Sequence, residues 1–573
     1  MLKTLPVLAA AAVMQMVTPA PSQAGKDAGA YLAARQAAHV NDFAAAAEHF
    51  TRALVKNASN PAVMEQAVVA LLALGQPDRA LPVARKIEAD GLRSQVANMV
   101  LIGDEVQRGD WVALLQRIED NRGVGDLADG LMAAWASLGA GDVKTALDGF
   151  DEVAGRNGLR GFAIYHKALA LASVGDFESA DKIYSGESEG PMQRTRRGTI
   201  AWAQVLSQLE RNEQAVAIID DTFGTDLDPE IQQLRNRLAA GESVPFSLIT
   251  SPKDGIAEVF FSLGQALMND AGGEYVLLYS RMAEALKPLH VDAILMSAGL
   301  LEELDRYELA VETYGRVPRD HGAFNAAELG RAEALRRSGK IDAAAEVLNQ
   351  LAQSYPDLPL VHVSAGDLYR QNSQFAQAVT AYDRALELYA ERDTDQWFVY
   401  YVRGISYERL GKWPQAEADF RRALELKPDQ PQVLNYLGYS LVEKRIKLDE
   451  ALDMIERAVA AEPNSGYIVD SLGWVLYRLG RYDEAVAHME RAAELMPVDP
   501  VVNDHLGDVL WAVGRFNEAE FQWRRALSFI DEAEDLSSLD VDPDRIRRKL
   551  EVGLDKVLEE EGTSLVEMAG DGG

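Results

Sequence analysis

The stretch WFVYYVRGISYERLGKWPQAEADFRRALELKPDQ (397–430) is followed by PQVLNYLGYSLVEKRIKLDEALDMIERAVAAEPNS (431–465), GYIVDSLGWVLYRLGRYDEAVAHMERAAELMPVD (466–499) and PVVNDHLGDVLWAVGRFNEAEFQWRRAL (500–527). A glycine returns at Gly404, Gly438, Gly473 and Gly507, in steps of 34, 35 and 34 residues. Such a period implies stacked repeats, each unable to bury its apolar face alone. Further markers keep fixed offsets: Gly411, Gly480 and Gly514; Ala416, Ala485 and Ala519; Ala423, Ala492 and Ala526; Pro428 and Pro497. The first glycine lets two helices approach closely. The second ends the first helix, because only glycine takes a positive φ there without cost. The alanines leave room for aromatic rings from the neighbouring helix. The proline stops the second helix.

This pattern resembles the tetratricopeptide repeat (TPR), a helix-turn-helix unit of about 34 residues. The resemblance implies an all-α, right-handed superhelical solenoid. Weaker markers carry the period back through Ala34, Val68, Ile102, Ala134, Ala168 and Ala203, and Val68 and Ile102 depart from the small-residue rule. The run GESVPFSLITSPKDG (241–255), with two prolines and two glycines, cannot be helical throughout. It reads as an extended connector over 241–256 that packs Phe246, Leu248 and Ile249 on the array and divides two solenoid halves, 25–240 and 257–530. Repeats restart at Gly264, Ala298, Ala332 and Gly366, and the longer gap to Gly404 implies a long turn around Glu391 to Asp395. That makes about six repeats before the connector and eight after it. Asp542-Pro543 reads as a helix start. Ile546, Leu550, Leu554 and Leu558 then imply one capping helix within 531–560, and 561–573 a disordered tail. Asp540, Asp542 and Asp544 open like a calcium loop, but the glycine and terminal glutamate are missing, which favours a helix cap.

With 573 residues and 48% apolar content the chain is too long for one compact domain. A net charge of −32 argues against nucleic acid and against docking on anionic lipid. Cysteine is absent, which excludes disulfides, thiolate metal sites, a thiol nucleophile and a lipid-bearing cysteine. Met1-Leu2-Lys3, the apolar run Leu5 to Val17 and Ser22-Gln23-Ala24 read as an export signal cut after Ala24. That implies a periplasmic chain, free or associated with the outer membrane, with no later run long enough for a membrane helix. Neither a nucleophile elbow nor a phosphate loop occurs. His488 lacks the second histidine of a zinc-protease helix, and His505 reads as packed or surface. No catalytic, cofactor-binding or metal-ligating residue is expected, and the chain is not expected to be an enzyme.

In TPR stacks the first helix of each pair lines the inner wall, which implies a protein-binding groove. The register places there Phe398 and Tyr401; Asn435, Tyr436 and Tyr439; Tyr467, Asp470, Ser471, Trp474 and Tyr477; and Asp504, His505, Asp508 and Trp511. Rings supply contact area at low entropic cost, and Asn and Asp side chains can bond an extended backbone. Packing of those rings between adjacent helices is the competing expectation. If the groove holds, Ala at Trp474 and Tyr477 weakens partner binding and leaves helicity intact. The lysine and asparagine clamp by which some such repeats hold a C-terminal carboxylate is absent: the positions carry Tyr401 and Ile405, Asn435 and Tyr439, Asp470 and Trp474.

NYLGY (435–439), LDEA (448–451), SGYIVDSLGW (465–474), NDHLGD (503–508) and ITSP (249–252) together resemble exported bacterial TPR proteins. That family includes an outer-membrane lipoprotein adaptor that binds and activates a carboxyl-terminal processing protease, which degrades peptidoglycan hydrolases. The resemblance implies a non-catalytic scaffold with an envelope protease and cell-wall hydrolases as partners. The family's lipid-bearing cysteine after the signal is missing here. An alternative is an assembly factor for an outer-membrane or polysaccharide export complex.

Overall fold

The computed structural model describes residues 24–56, 59–190, 192–224, 227–390, 396–531, 541–562 and 564–565. Within them every regular element is an α-helix. No described helix is long and apolar enough to cross a membrane. The export-signal stretch before Ala24, the turn Glu391 to Asp395 and Asp540 lie outside the described residues. The chain forms two compact units, Met1–Gln353 and Ser354–Gly573.

In the first unit, six helix pairs precede the connector. They are α1 and α2 (Ala24–His39, Phe43–Lys56), α3 and α4 (Pro61–Ala73, Pro77–Ala89), α5 and α6 (Gln95–Arg108, Trp111–Glu119), α7 and α8 (Asp126–Gly139, Val143–Ala154), α9 and α10 (Arg160–Ser173, Phe177–Tyr184), and α11 and α12 (Arg196–Gln208, Asn212–Phe223). A solitary helix, α13 (Pro229–Ala239), follows them and has no counterpart in the repeat count. After the connector come α14 and α15 (Pro252–Leu267, Gly273–Leu286), α16 and α17 (Val291–Glu303, Tyr307–Tyr314), and α18 and α19 (Phe324–Arg337, Ile341–Ser354).

The second unit holds α20 and α21 (Pro359–Gln371, Phe375–Ala390), α22 and α23 (Trp397–Arg409, Trp413–Leu426), α24 and α25 (Pro431–Glu443, Leu448–Ala461), α26 and α27 (Gly466–Arg478, Tyr482–Leu495), and α28 and α29 (Pro500–Ala512, Phe516–Asp531). It ends in α30 and α31 (Pro543–Val552, Leu554–Glu560).

The markers act through close packing. A Cβ on Gly404 would stand 2.7 Å from Phe420, on Gly438 2.7 Å from Ile455, on Gly473 2.3 Å from Met489 and on Gly507 2.3 Å from Trp523. The small residue therefore faces a large side chain of the paired helix more than its backbone. Ala416, Ala485 and Ala519 are fully buried beside these contacts. Gly411, Gly480 and Gly514 take φ of +70°, +72° and +81°, as helix ends of this kind require. Where the Gly438 unit carries its extra residue, Arg445 and Lys447 adopt positive φ instead.

Gly507→Ala separates packing from propensity. Alanine favours a helix interior by about 1 kcal/mol, but Trp523 is fully buried and its Nε1 donates to Asp508 at 2.9 Å. Overpacking costs about 1–3 kcal/mol, so denaturant unfolding is expected to show a net loss. Gly299→Ala on α16, where an added Cβ meets nothing within 4 Å, is the control and is expected to stabilise.

Four expectations need correction. Only Gly241 to Ser251 of the connector is non-helical, because Pro252 opens α14 with Ser251 as its N-cap. The molecule does not divide at the connector but between Gln353 and Ser354. The single capping helix is two helices, broken at Gly553 with φ +81°. Asp542 does cap α30, accepting from the N–H groups of Asp544 and Arg545. Part of the expected tail is held: Glu561 accepts from Arg545 at 2.8 Å and the Leu565 carbonyl from Tyr482 at 2.7 Å. The remainder of that tail is outside the described residues.

The first division fails because the chain turns back into the first array. Helix α14 packs on α7 and α9, and α15 on α3 and α5, all first helices of their pairs. Ile256, Ala257, Val259, Phe260 and Phe261 of α14 are buried. Polar groups there find partners far off in sequence. Arg281 Nε donates to the Ala73 carbonyl at 3.1 Å, and Tyr165 Oη to Glu258 Oε1 at 2.8 Å. Trp135 Nε1 donates to His166 Nδ1 at 3.1 Å, and His166 Nε2 lies 3.2 Å from Ser262 Oγ. Burial lowers the His166 pKa to about 4, so the ring is neutral at physiological pH.

Candidate protein-binding surface

In the first unit the inner wall is occupied by the unit's own chain. Besides α14 and α15, the connector lies extended along α11 and is read by side-chain amides. Ser247 N–H donates to Gln204 Oε1 at 3.0 Å and Gln208 Nε2 to the Val244 carbonyl at 2.8 Å. Ser207 Oγ accepts from Val244 N–H at 2.9 Å, and Asn212 Nδ2 donates to the Glu242 carbonyl at 2.9 Å. Phe246, Leu248 and Ile249 pack as the sequence implied.

In the second unit the candidate residues fall into two groups. One group is open: Phe398 on α22 is 43% exposed and Tyr467, at the start of α26, is 47% exposed, while Tyr401, Tyr436 and Tyr439 on α22 and α24 are half-buried. The rings of Tyr401 and Tyr436 sit 6.0 Å apart edge to face. Burial foremost, then nearby Tyr467, pushes the Tyr401 hydroxyl up to about 12, so it stays a neutral donor and acceptor. Leu360 on α20, 50% exposed, extends this stripe. Sequence reasoning passed over it, although it holds the same register position as Phe398 and Tyr467.

The other group, Asn435 of α24 and the remaining candidates of α26 and α28, is packed. Asn435, Asp470, Ser471, Trp474, Tyr477, Asp504, His505 and Asp508 are buried. Trp474 stacks on His505 at 3.9 Å and on Tyr477 at 4.9 Å, and its Nε1 donates to Glu443. Tyr477 is 1% exposed. The expected binding roles of Trp474 and Tyr477 are therefore corrected: these rings hold adjacent repeats together. Asp504 and Asp508 are likewise engaged, because Lys549 of α30 donates to both. Trp511 is half-buried, and its Nε1 donates to Asp555 of α31 at 3.1 Å. Nothing in the sequence around 504–511 shows that a helix some forty residues on covers it.

His505 pairs with Asp470 at 3.0 Å. Burial, the largest single influence, would lower its pKa, but the carboxylates of Asp470 first, then Asp504 and Asp508, together raise it. A group that binds its proton more tightly when folded stabilises fully below its unfolded value, near 6.5, and loses that contribution as pH rises through the folded pKa. The second unit's stability is thus expected to fall as pH rises above about 6.5. His505→Gln should flatten that part of the profile, read by urea midpoints across pH.

Three segments match tetratricopeptide-repeat family models: residues 282–359, 357–429 and 469–497. The chain carries tetratricopeptide repeats. A TPR repeat-containing protein of Pseudomonas aeruginosa is 30% identical over 193 residues, 33% of this chain and 32% of that protein. The chain thus spans about a third of that relative's length. Among solved structures, the Cut9–Hcn1 hetero-tetramer of APC/C aligns at a TM-score of 0.38 with 14% identity, over 93% of this chain and 97% of that one. YrrB, described as a TPR protein with an unusual peptide-binding site, aligns at 0.27 with 21% identity, over 33% of this chain and 94% of that one. Leu360 and Phe398 of the exposed stripe fall within the 357–429 match, and Tyr467 lies two residues before the 469–497 match.

Proposed function

We propose that this chain is a non-catalytic scaffold that binds protein partners on the first-helix wall of its second unit. We further propose that it works in the bacterial periplasm as an adaptor, bringing a carboxyl-terminal processing protease to peptidoglycan hydrolases. The observation that carries the scaffold reading is the uncovered stripe Leu360, Phe398 and Tyr467 within TPR helix pairs. The export-like N-terminus and the resemblance around residues 435–508 support the periplasmic adaptor. Holding protease and substrate on one array raises their effective concentration without new chemistry. No catalytic group is required of the chain itself.

The test is affinity capture from periplasmic extract with the chain starting at Gly25, read by mass spectrometry. Recovery of such a protease together with a cell-wall hydrolase, reduced by Phe398→Ala with Tyr467→Ala, is expected. Recovery of neither, or capture unaffected by the double variant, would contradict the proposal.

A further inference from the structure

We infer that Arg478 and Arg445, where α26 and α24 end, form a seat for one carboxylate carried on an aspartate or glutamate side chain of a protein partner. This deepens the scaffold reading above by naming the charge that the partner presents, and it rests on that reading.

Arg478 is the last residue of α26 and is half-buried, and among the described residues its guanidinium has no hydrogen bond or ion pair. Half-buried arginines elsewhere in the unit are bonded. Arg403 donates to Asp419 at 2.7 Å and to Asp383 at 2.6 Å, and Arg545 to Glu561 at 2.8 Å. The carboxylate that acts on Arg478 most strongly, Glu443, is committed to Trp474, whose Nε1 donates to it at 2.7 Å. Burial, the largest influence, lowers the Arg478 pKa; Glu443 opposes that and Arg445 adds to it. A guanidinium that has given up part of its water without gaining an anion is stabilised by one supplied from outside.

The turn after α24 supplies the second cation. It carries the extra residue of the Gly438 unit and holds Lys444, Arg445 and Lys447. Lys444 Nζ lies 4.9 Å from the Trp413 ring and Lys447 pairs with Glu417, whereas Arg445 is exposed and, among the described residues, has no such partner. The bond from Trp474 to Glu443 sets α26 beside the end of α24, so Arg478, one turn beyond Trp474 on the same face, comes to this turn. Two guanidiniums against Glu443 leave one positive charge on a chain of net charge −32. That balance suits a single carboxylate better than a phosphate dianion, and the guanidinium fork holds a carboxylate through two parallel N–H bonds. Ile446, 38% exposed next to Arg445, gives the seat an apolar flank that a protein surface covers and a free anion does not. The seat lies a turn beyond Tyr439 and Trp474, the positions at which other repeats of this kind clamp a chain terminus.

The experiment treats the whole chain from Gly25 with phenylglyoxal, which attacks the unprotonated guanidinium, and follows each arginine by mass spectrometry after digestion. Arg478 is expected to react several-fold faster than Arg403. At equal ionic strength the end-capped peptide Leu-Glu-Leu should slow Arg478 and Arg445 several-fold and leave Arg403 unchanged, while end-capped Leu-Gln-Leu should protect neither. Arg478→Met, which keeps the apolar stem and removes the charge, should abolish the protection of Arg445. Its Tm should equal or exceed that of the parent, because no bond is lost. Equal reaction of Arg478 and Arg403, protection by Leu-Gln-Leu, or stronger protection by inorganic phosphate than by Leu-Glu-Leu overturns the inference. A lowered Tm also overturns it, since Arg478 would then be a structural cation. So does a dimer that Arg478→Met dissolves, since the carboxylate would then come from a second copy. If periplasmic capture succeeds and no peptide protects, this inference falls and the scaffold reading stands. If Arg478-dependent protection is seen and capture fails, it is the adaptor reading that falls.

Discussion

Lys549→Met is expected to lower the stability of the second unit by about 3–5 kcal/mol, the cost of leaving buried charge unpaired. The Lys549 side chain is fully buried, and its Nζ donates to both Asp504 oxygens at 2.9 Å and to Asp508 at 2.6 Å. Burial raises the Asp504 pKa, and the Lys549 charge is the largest influence opposing that rise. Without the ammonium two carboxylates remain enclosed. Arg545 reaches Asp508 only at 3.4 Å, and Trp523 Nε1 supplies one neutral bond. Methionine keeps most of the volume, so the loss is electrostatic rather than a cavity. For a unit of this size the Tm should drop on the order of 10 °C. Adding Asp504→Asn and Asp508→Asn should recover much of the loss, because a neutral polar cluster no longer needs the cation. Differential scanning calorimetry of the single and triple variants checks both statements. An unchanged Tm in Lys549→Met would mean that α30 does not seat on α28 as described.

Arg197→Met should have an effect of similar size in the first unit, again about 3–5 kcal/mol. Glu258, on the inserted helix α14, is 1% exposed. It accepts from Arg197 Nε at 2.9 Å and Nη2 at 2.6 Å, and from Tyr165 at 2.8 Å, with His290 Nε2 at 3.2 Å. Asp292 also pairs with Arg197. Burial would raise the Glu258 pKa, yet the Arg197 guanidinium, with the hydrogen bond from His290, holds it well below 4.5. A depressed carboxylate stabilises the fold above its unfolded value and loses that contribution as pH falls through the folded pKa. The parent protein should therefore weaken on acidification below about 4.5. The variant should lack that dependence, because its unpaired Glu258 is better protonated. Urea unfolding followed by tryptophan fluorescence at acid and neutral pH reads both. If the parent and variant lose stability in parallel on acidification, Glu258 is not the group that Arg197 holds ionised.

Much of the fold was legible because each repeat marker answers a local steric need. Gly404, Gly438, Gly473 and Gly507 each lie under one large residue of the paired helix, and that need recurs with the period. The return of α14 into the first array was not legible from periodicity, since α14 and α15 keep the repeat markers at Gly264 and Ala283. One signal existed. Residues 256–263 are apolar on nearly every face, which marks a helix enclosed on all sides rather than one lining a wall. Some of the partners that allow Glu258 and Arg281 inside lie far off in sequence: Arg197 is 61 residues from Glu258 and Ala73 is 208 from Arg281.

At the candidate surface, the register placed each side chain on the first-helix wall but could not say whether the wall was bare. Phe398 and Trp474 look alike in sequence, an aromatic ring on a first helix. One is exposed and the other stacks against His505. The difference comes from the neighbouring repeat and, farther along, from Lys549, whose charge complements acids that alone read as an open binding site.

The first unit's inner wall is filled by its own helices, and the proposal assigns the partner to the second unit's wall. Hydrogen–deuterium exchange of the whole chain, free and with whichever envelope protein the capture recovers, decides between the two walls. New protection confined to α22, α24 and α26, with α3, α5, α7 and α9 already slow and unchanged, is the predicted result. Protection that appears on α3 to α9, or none on α22 to α26, would contradict it.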